Sequence, residues 1–496
     1  MNNVRVTYSG LIAFAVALSS VFTGLIFTTI VTRQLSVEEF GTWSLIGNII
    51  TYFIIGEGVI TYWTVRQIAR GEKIGRTTVY SSIVYSILCI PIFLVIVFVI
   101  ADTSNAILSS MILATILVPV YLINKGITAI NLGTKPQVIS YGIIAFEISK
   151  IPTGLSFVYF LQMGLDGAIF ALLIANILKI SIQVFLTRED IRNRFNLDVV
   201  KRWLKNSWVS MYSTFPDMLQ WLDILLYSII MGSVVGLAFF SVSNTIAFLT
   251  YHSNLISQGL YSKLLGGGKS KHMQENFALL LYFAIPLLTI SIIFSKPILF
   301  LLNPIYQESS FVVILLAFKT FFFTLGLTLQ TSLLAIEKID LKENSTFSEL
   351  AKSKLIFIPT IRYIKIGIYL AVFTLLLVLL SSQNLPENEL VTMWAALSLI
   401  VEVPFFIFVI FLTKKHIQFK FPTSNFLKYL FASLGLASVY FLTSNYLITY
   451  DSSIFKFLPP LLLQLILCAA VYLGITYIID QKTRQLFESI ICELRR

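Results

Sequence analysis

The chain has 496 residues, 57% of them hydrophobic and only 12% charged, with a net charge of +11 and a mean hydropathy of +0.84. An ordinary soluble domain carries about 25% charge, so a chain this long and apolar has no single water-soluble core to hide in and needs lipid as its solvent. The three cysteines (Cys89, Cys468, Cys492) have neither pairing nor metal spacing and the three histidines are isolated, which argues against a disulfide framework or a metal cofactor.

A transmembrane helix needs about 20 mostly apolar residues. Only helices and closed barrels satisfy the backbone in lipid, and long unbroken apolar runs select helices over the ten-residue alternation of a barrel. In chain order, spans are predicted to start near Tyr8, Gly41, Val79, Ile107, Val138, Asp166 and Ser207. Seven more start near Leu237, Phe277, Ser309, Tyr363, Val391, Lys428 and Lys456, which makes fourteen. The first apolar run, about Leu11 to Thr32, is too long for a signal-peptide core and lacks a small-residue cleavage site, so it reads as the first span.

With the N-terminus in the cytoplasm, 30 of the 36 Lys and Arg fall on inside segments. Three (Arg33, Lys296, Lys456) fall outside and three (Lys150, Lys179, Lys319) fall within spans. This asymmetry places both termini in the cytoplasm. The net charge is therefore a topology signal, and no nucleic-acid module or basic and aromatic stripe accompanies it. The outside loops are all short and leave no room for an extracytoplasmic domain. Two inside segments have the pattern of helices lying on the membrane: about Glu337 to Arg362, and the tail after Asp480, where Leu486, Phe487, Ile490, Ile491 and Leu494 share a face. A solvated linker and tail is an equal alternative for both.

Sliding the chain by 197 residues sets Ser36-Val37 on Ser233-Val234, Phe40-Gly41 on Leu237-Ala238, and Trp43-Ser44-Leu45 on Phe240-Ser241-Val242. The same offset sets Arg66 on Lys263. Six spans separate the copies, an even number, so both face the same way. This predicts an all-α membrane protein of two six-helix lobes in a parallel pseudo-two-fold repeat, with two C-terminal helices added. The corresponding boundaries are 1–200, 201–425 and 426–496.

Near the end of span one, Thr32-Arg33-Gln34-Leu35-Ser36-Val37-Glu38-Glu39-Phe40-Gly41-Thr42-Trp43 resembles the "R-x-L-(small)-x-E-x-F-G-x-(aromatic)" turn of polysaccharide and oligosaccharide-lipid flippases. These belong to the multidrug/oligosaccharidyl-lipid/polysaccharide (MOP) exporter superfamily. Gly164-Leu165-Asp166-Gly167-Ala168 resembles that family's "G-x-x-G-A" entry to span six. The resemblance in sequence is concentrated in the first 80 residues or so, and in architecture it extends over the whole chain. It implies alternating access by rocking of two lobes around a central cavity. The implied cargo is an isoprenoid-linked (poly)saccharide whose glycan and (pyro)phosphate cross while the lipid tail stays in the bilayer. No ATP site is expected. Gly266-Gly267-Gly268-Lys269-Ser270 looks like the end of a Walker A loop, but Lys263 stands where that motif needs Gly and no strand precedes it.

Eight ionisable residues fall deep in the predicted spans: Glu57, Glu147, Lys150, Lys179, Asp217, Asp223, Lys319 and Glu402, with a sum of −2. Each costs at least a few kcal/mol unless it faces a partner or a wet cavity. Glu147 and Lys150 lie three apart and are spaced to pair. Glu402 has Lys179 or a neighbour as its expected partner. Lys319 has no counter-ion on its own span and is a candidate for the substrate phosphate; a salt bridge to Asp217, Asp223 or Glu57 is the alternative. Arg66 and Lys263 are candidates to gather an anionic headgroup at the inner mouth, or ordinary positive-inside anchors. Lys150 and Lys179 complete the substrate candidates. Asp217, which follows Pro216, together with Asp223 and Glu57, are candidates for coupling transport to a proton or sodium gradient.

The expected function is therefore a flippase or exporter for a lipid-linked oligosaccharide or polysaccharide precursor in the cytoplasmic membrane, with no catalytic residues, metal or cofactor. The expected partners are that substrate, membrane lipid and glycan-assembly enzymes. The alternative is an ion-coupled multidrug-type antiporter of the same superfamily, which the poor inventory of cations within the spans mildly favours.

Overall fold

The computed structural model describes residues 19–20, 22–205, 207–257, 270–335, 337, 353–383, 385–417, 419–481 and 483–485, without the side chains of 209, 210, 213, 217, 255–257 and 270–272. The described residues form helices and connections, with no strand among them. In order, α1 covers 22–34, α2 is Val37–Gly56, α3 Gly58–Ala69, α4 Gly75–Ser104, α5 Leu108–Thr134, α6 Gln137–Phe160 and α7 Gly164–Leu186. Then follow α8 Leu197–Lys205, α9 Ser207–Gln220, α10 Leu222–Met231 and α11 Val235–Ala247, the last continued by a 3-10 turn, Phe248–Ser257. The remainder are α12 Ser270–Ile293, α13 Ser295–Leu302, α14 Ser310–Ala335, α15 Lys354–Leu380, α16 Glu387–Ile417, α17 Thr423–Leu447 and α18 Ile454–Ile479.

Ten of the described helices are long and apolar enough to cross a membrane, and they match ten of the predicted spans. The span expected near Gly41 is the pair α2 and α3, bent by 46° at Glu57. The span expected near Ser207 is broken at Trp221 into α9 and α10, and the one near Leu237 leaves α-helical geometry at Phe248. Much of the first expected span lies outside the described residues.

The burial pattern is that of a protein in lipid. On α4, Val84, Ile87, Leu88 and Val95 are more than half exposed, while Thr77, Thr78 and Ser82 are fully buried. In water that arrangement would be inverted. Here the apolar stripe faces acyl chains, and the small hydroxyl side chains let neighbouring helices approach closely.

Two compact units divide the chain: Met1–Ala238 with Ile366–Asn384, and Phe239–Lys365 with Leu385–Arg496. In the first, α5 packs against α3, α4 and α7, and α6 lies along α7. In the second, α14 packs along α16 and α12, and α17 pairs with α18. Phe240 stacks flat on Trp394 there, with ring centroids 3.8 Å apart.

The two segments that carry the family resemblance meet in the first unit. Ser36 is the N-cap of α2: its Oγ accepts from Glu39 N and its own N–H donates to Glu39 Oε2, a capping box. The Glu39 carboxylate also reaches the first turn of α7 at Leu165. Asp166 in that turn accepts from Ser110 Oγ at 2.6 Å. A Cβ on Gly41 would lie 2.0 Å from the Val234 carbonyl oxygen, so glycine is what allows the chain before α11 to touch α2. Ser36 and Ser233, aligned by the 197-residue offset, both stand before a helix: Ser233 Oγ accepts from Val235 N at 3.1 Å.

Candidate functional site

The charges within the spans come from residues that sequence alone scatters, and each unit assembles its own group. In the first unit, the three-residue spacing on α6 brings Lys150 Nζ to 2.5 Å from Glu147 Oε2. Glu147 also accepts from Ser20 Oγ at 2.6 Å and from Thr23 Oγ1, which ties the start of the chain to α6. A buried carboxylate with this many donors is well satisfied. Lys150 lies 5.1 Å from the centre of the Phe146 ring, and Lys179 of α7 approaches the same ring to 5.9 Å. One aromatic ring therefore takes two ammonium groups from two helices, each within cation-π reach.

The second unit holds a similar group. Lys365 Nζ is 2.5 Å from Glu402 Oε2, between α15 and α16, with both side chains largely buried. Three residues after Arg362, Lys365 counts in sequence among the cations of an inside segment. The structure places it twelve residues into α15, which brings the charges in the spans to four cations and five anions. The partner of Glu402 is thus a neighbour in its own unit and not Lys179. Lys365 sits 4.7 Å from the Phe405 ring centre and 5.8 Å from that of Phe323, and Lys319 lies 5.7 Å from the Phe323 ring on the same helix, α14.

The acidic candidates separate. Glu57 occupies the break between α2 and α3 and is 1% exposed. Its Oε1 accepts from Ser82 Oγ at 2.6 Å, and Oε2 has no hydrogen-bond partner among the described residues. Glycine at 126 makes the room, because a Cβ there would lie 2.3 Å from Ser82 Oγ. Asp223, in the first turn of α10, accepts from Tyr369 OH at 2.8 Å and from Ile224 N at 2.9 Å. The break before it is held by Asn48, whose Nδ2 donates to the Trp221 carbonyl at 3.2 Å. Asn48 Oδ1 and Tyr52 OH, one helical turn apart on α2, are buried without a partner among the described residues. Asn48, a polar group facing this break, shows in the sequence only as an amide in an otherwise apolar span.

Arg66, in the last turn of α3, is exposed and lies over the Tyr62 ring at 4.3 Å. Lys263 and the side chain of Asp217 lie outside the described residues, as do Gly266 to Lys269. An apolar cavity of about 210 Å³ opens in the first unit, lined by one face of α2 (Trp43, Ile46, Gly47, Ile50, Thr51, Ile54) with Leu117, Tyr121 and Leu172. No group of three or more His, Cys, Asp or Glu able to hold a metal occurs among the described residues.

No family model matches the chain, and no curated protein matches it. Solved structures do. The structure of the lipid II flippase MurJ in an inward closed conformation superposes with a TM-score of 0.64 at 16% identity, over 95% of this chain and 99% of that one. A multidrug resistance MATE family transporter of the MOP superfamily, in its inward-facing conformation, gives 0.57 at 12% identity, over 80% and 94%. The Vibrio cholerae MATE transporter VcmN in the bent form gives 0.54 at 12%, over 84% and 96%. At these identities the likeness concerns the fold.

Proposed function

We propose that this chain, whose fold is that of the MOP superfamily, moves an isoprenoid-lipid-linked oligosaccharide or polysaccharide precursor across the cytoplasmic membrane by alternating access. The observation that carries the reading is the pair of lysine groups, Lys150 with Lys179 on Phe146 and Lys319 with Lys365 on Phe323. Four ammonium groups within apolar spans are costly to keep, and the carboxylates of Glu147 and Glu402 pair with Lys150 and Lys365, one in each group. An anionic cargo that must cross an apolar layer, such as a (pyro)phosphate, repays that cost; a cationic drug does not. The match to the flippase structure over nearly the whole chain, against about four fifths for the two transporters, agrees with this reading.

Arg66 and Lys263 are proposed to gather the headgroup at the inner mouth. Glu57, Asp223 and Asp217 are proposed to couple transport to a proton or sodium gradient, with the unpartnered Glu57 oxygen as the strongest support. The partners expected in the membrane are the lipid-linked substrate, bulk lipid and glycan-assembly enzymes.

The test is a flipping assay with purified protein in liposomes and a fluorescent isoprenoid-pyrophosphate-sugar on one leaflet. Protein-dependent movement, slowed at least tenfold by Lys319→Ala or Lys179→Ala, supports the reading. Movement indifferent to both substitutions removes the lysines from the substrate path. Movement unchanged in a variant neutralised at Glu57, Asp217 and Asp223, or with both gradients collapsed, removes the coupling. A second reading, an ion-coupled small-molecule antiporter, is supported by the buried carboxylate at Glu57 and by the MATE-like fold. It predicts no flipping of any lipid-linked sugar, with gradient-driven efflux of organic cations instead.

A further inference from the structure

The helix α8 is a short basic element with two dissimilar apolar edges. On one, Val199 and Trp203 are buried against Ile74, with Ile60, Trp63 and Ile68 packed around them. Trp203 Nε1 donates to Gln67 Oε1 at 2.9 Å. At the start of the helix, Asn196 Oδ1 accepts from Asp198 N at 2.9 Å, and Asn196 N donates to Thr77 Oγ1 at 3.0 Å. These contacts fix α8 across the ends of α3 and α4, so its orientation is set by the protein.

The other edge has no protein neighbour to cover it among the described residues. Leu197 and Leu204, two turns apart, are 54% and 65% exposed. Lys201 lies between them on the same face, and Arg202 and Lys205 are also exposed. The acid on this helix is Asp198, itself exposed and 3.8 Å from Lys201, so the surface stays cationic. Nearby, Tyr80 is about half exposed, meets Phe195 at 6.0 Å and carries Arg76 at 5.5 Å. Aromatic and basic residues grouped at the ends of spans mark the depth of the headgroups.

We propose that α8 is a docking surface for anionic phospholipid headgroups of the leaflet it faces, with Leu197 and Leu204 dipping toward the acyl chains and Lys201, Arg202 and Lys205 on the phosphates. Charge complementarity selects the occupant: the patch pairs exposed leucine with ammonium and guanidinium groups, the pattern of an interfacial helix. Each cation near an anionic surface contributes about a fivefold factor in binding. The inference does not depend on the cargo of the transporter.

The test is native mass spectrometry of the purified full chain titrated with phosphatidylglycerol or phosphatidylcholine of the same acyl chains. Wild type retains phosphatidylglycerol preferentially. The variant K201Q/R202Q/K205Q lowers the ratio of phosphatidylglycerol to phosphatidylcholine adducts at least tenfold, whereas Asp198→Lys raises it. Tryptophan emission, the sum over six tryptophans that include the buried Trp203, stays unchanged in both. An adduct ratio within twofold of wild type in both variants overturns the proposal, including the case in which the patch serves a protein partner. Should the triple variant fail to purify, an unchanged ratio in Asp198→Lys overturns it alone.

Discussion

The carboxylate of Glu39 joins the N-terminus of its own helix to that of α7, at a residue 126 positions further along the chain: Oε2 accepts from Ser36 N at 2.8 Å and Oε1 from Leu165 N at 3.2 Å. Helix N-termini carry unpaired N–H groups and the positive end of the dipole, so one acid satisfies both α2 and α7. Glu39→Ala removes both acceptors and is expected to cost about 1–2 kcal/mol, read as a lowered midpoint in thermal unfolding in detergent. Gly164→Ala is expected to cost at least as much. Its φ is +54°, and a Cβ would stand 2.3 Å from Glu39 Oε1. Gly367→Ala, where nothing lies within 4 Å, serves as the control and leaves the midpoint unchanged or raised.

At Gly41 the obstacle is backbone. The Val234 carbonyl, 2.0 Å from the place of a Cβ, has no rotamer by which to withdraw, so α2 or the chain before α11 must shift. Gly41→Ala is expected to reduce the yield of folded, monodisperse protein severalfold, measured by fluorescence-detected size-exclusion chromatography. Yield equal to wild type would show that the approach of these segments relaxes freely.

The pair Lys365 and Glu402 is expected to behave as a buried pair. Glu402→Gln strands the Lys365 ammonium between Phe323 and Phe405 and costs about 3–5 kcal/mol. Lys365→Met costs a similar amount by stranding the carboxylate. The double variant Lys365→Met with Glu402→Gln leaves no unpaired charge and recovers most of the loss. A double-mutant cycle on thermal or denaturant unfolding gives the coupling, and additive losses would contradict the pairing.

What the sequence makes legible here follows from the length scale of the signal. Twenty apolar residues survive any local irregularity, which is why ten expected spans coincide with helices. A window of that length does not register the bend at Glu57, the break at Trp221 or the 3-10 turn after Ala247. A local signal for the bend was present, since Gly56 and Gly58 flank Glu57. The turn containing Glu39 and the entry at Gly164 were both recognisable, but their contact was not, because one carboxylate links residues far apart in sequence. Lys365 read as the edge of a cytoplasmic segment because Arg362 precedes it and its counter-ion is 37 residues away on α16. The helix proposed to dock on lipid, Leu197–Lys205, is a stretch of nine residues, too short to stand out beside the longer patterns between Glu337 and Arg362 and after Asp480. Of those two, residues 338–352 and 486–496 lie outside the described residues.

At the far end of the chain, Asp480 locks the base of α17 to that of α18. It is 3% exposed, lies 3.3 Å from Lys428 Nζ, and accepts from Tyr429 OH at 3.1 Å and from Thr483 Oγ1 at 2.9 Å. Burial pushes its pKa up, but the hydrogen bonds from Thr483, Lys428 and Tyr429 outweigh burial and hold it below the ordinary value of 3.8. A carboxylate with a depressed folded pKa contributes stability that is fully present above its unfolded pKa. That contribution is lost as pH falls through the folded pKa. The window therefore opens near pH 4 and extends downward. Asp480→Asn is expected to lower the unfolding midpoint at pH 7, and the gap between wild type and variant is expected to narrow as pH drops from 5 toward 3. Other carboxylates titrate in that range in both proteins and cancel in the difference. Thermal unfolding of the two proteins in a pH-stable detergent checks it, and a gap that stays constant across the range would mean that the Asp480 charge adds nothing to holding α17 against α18.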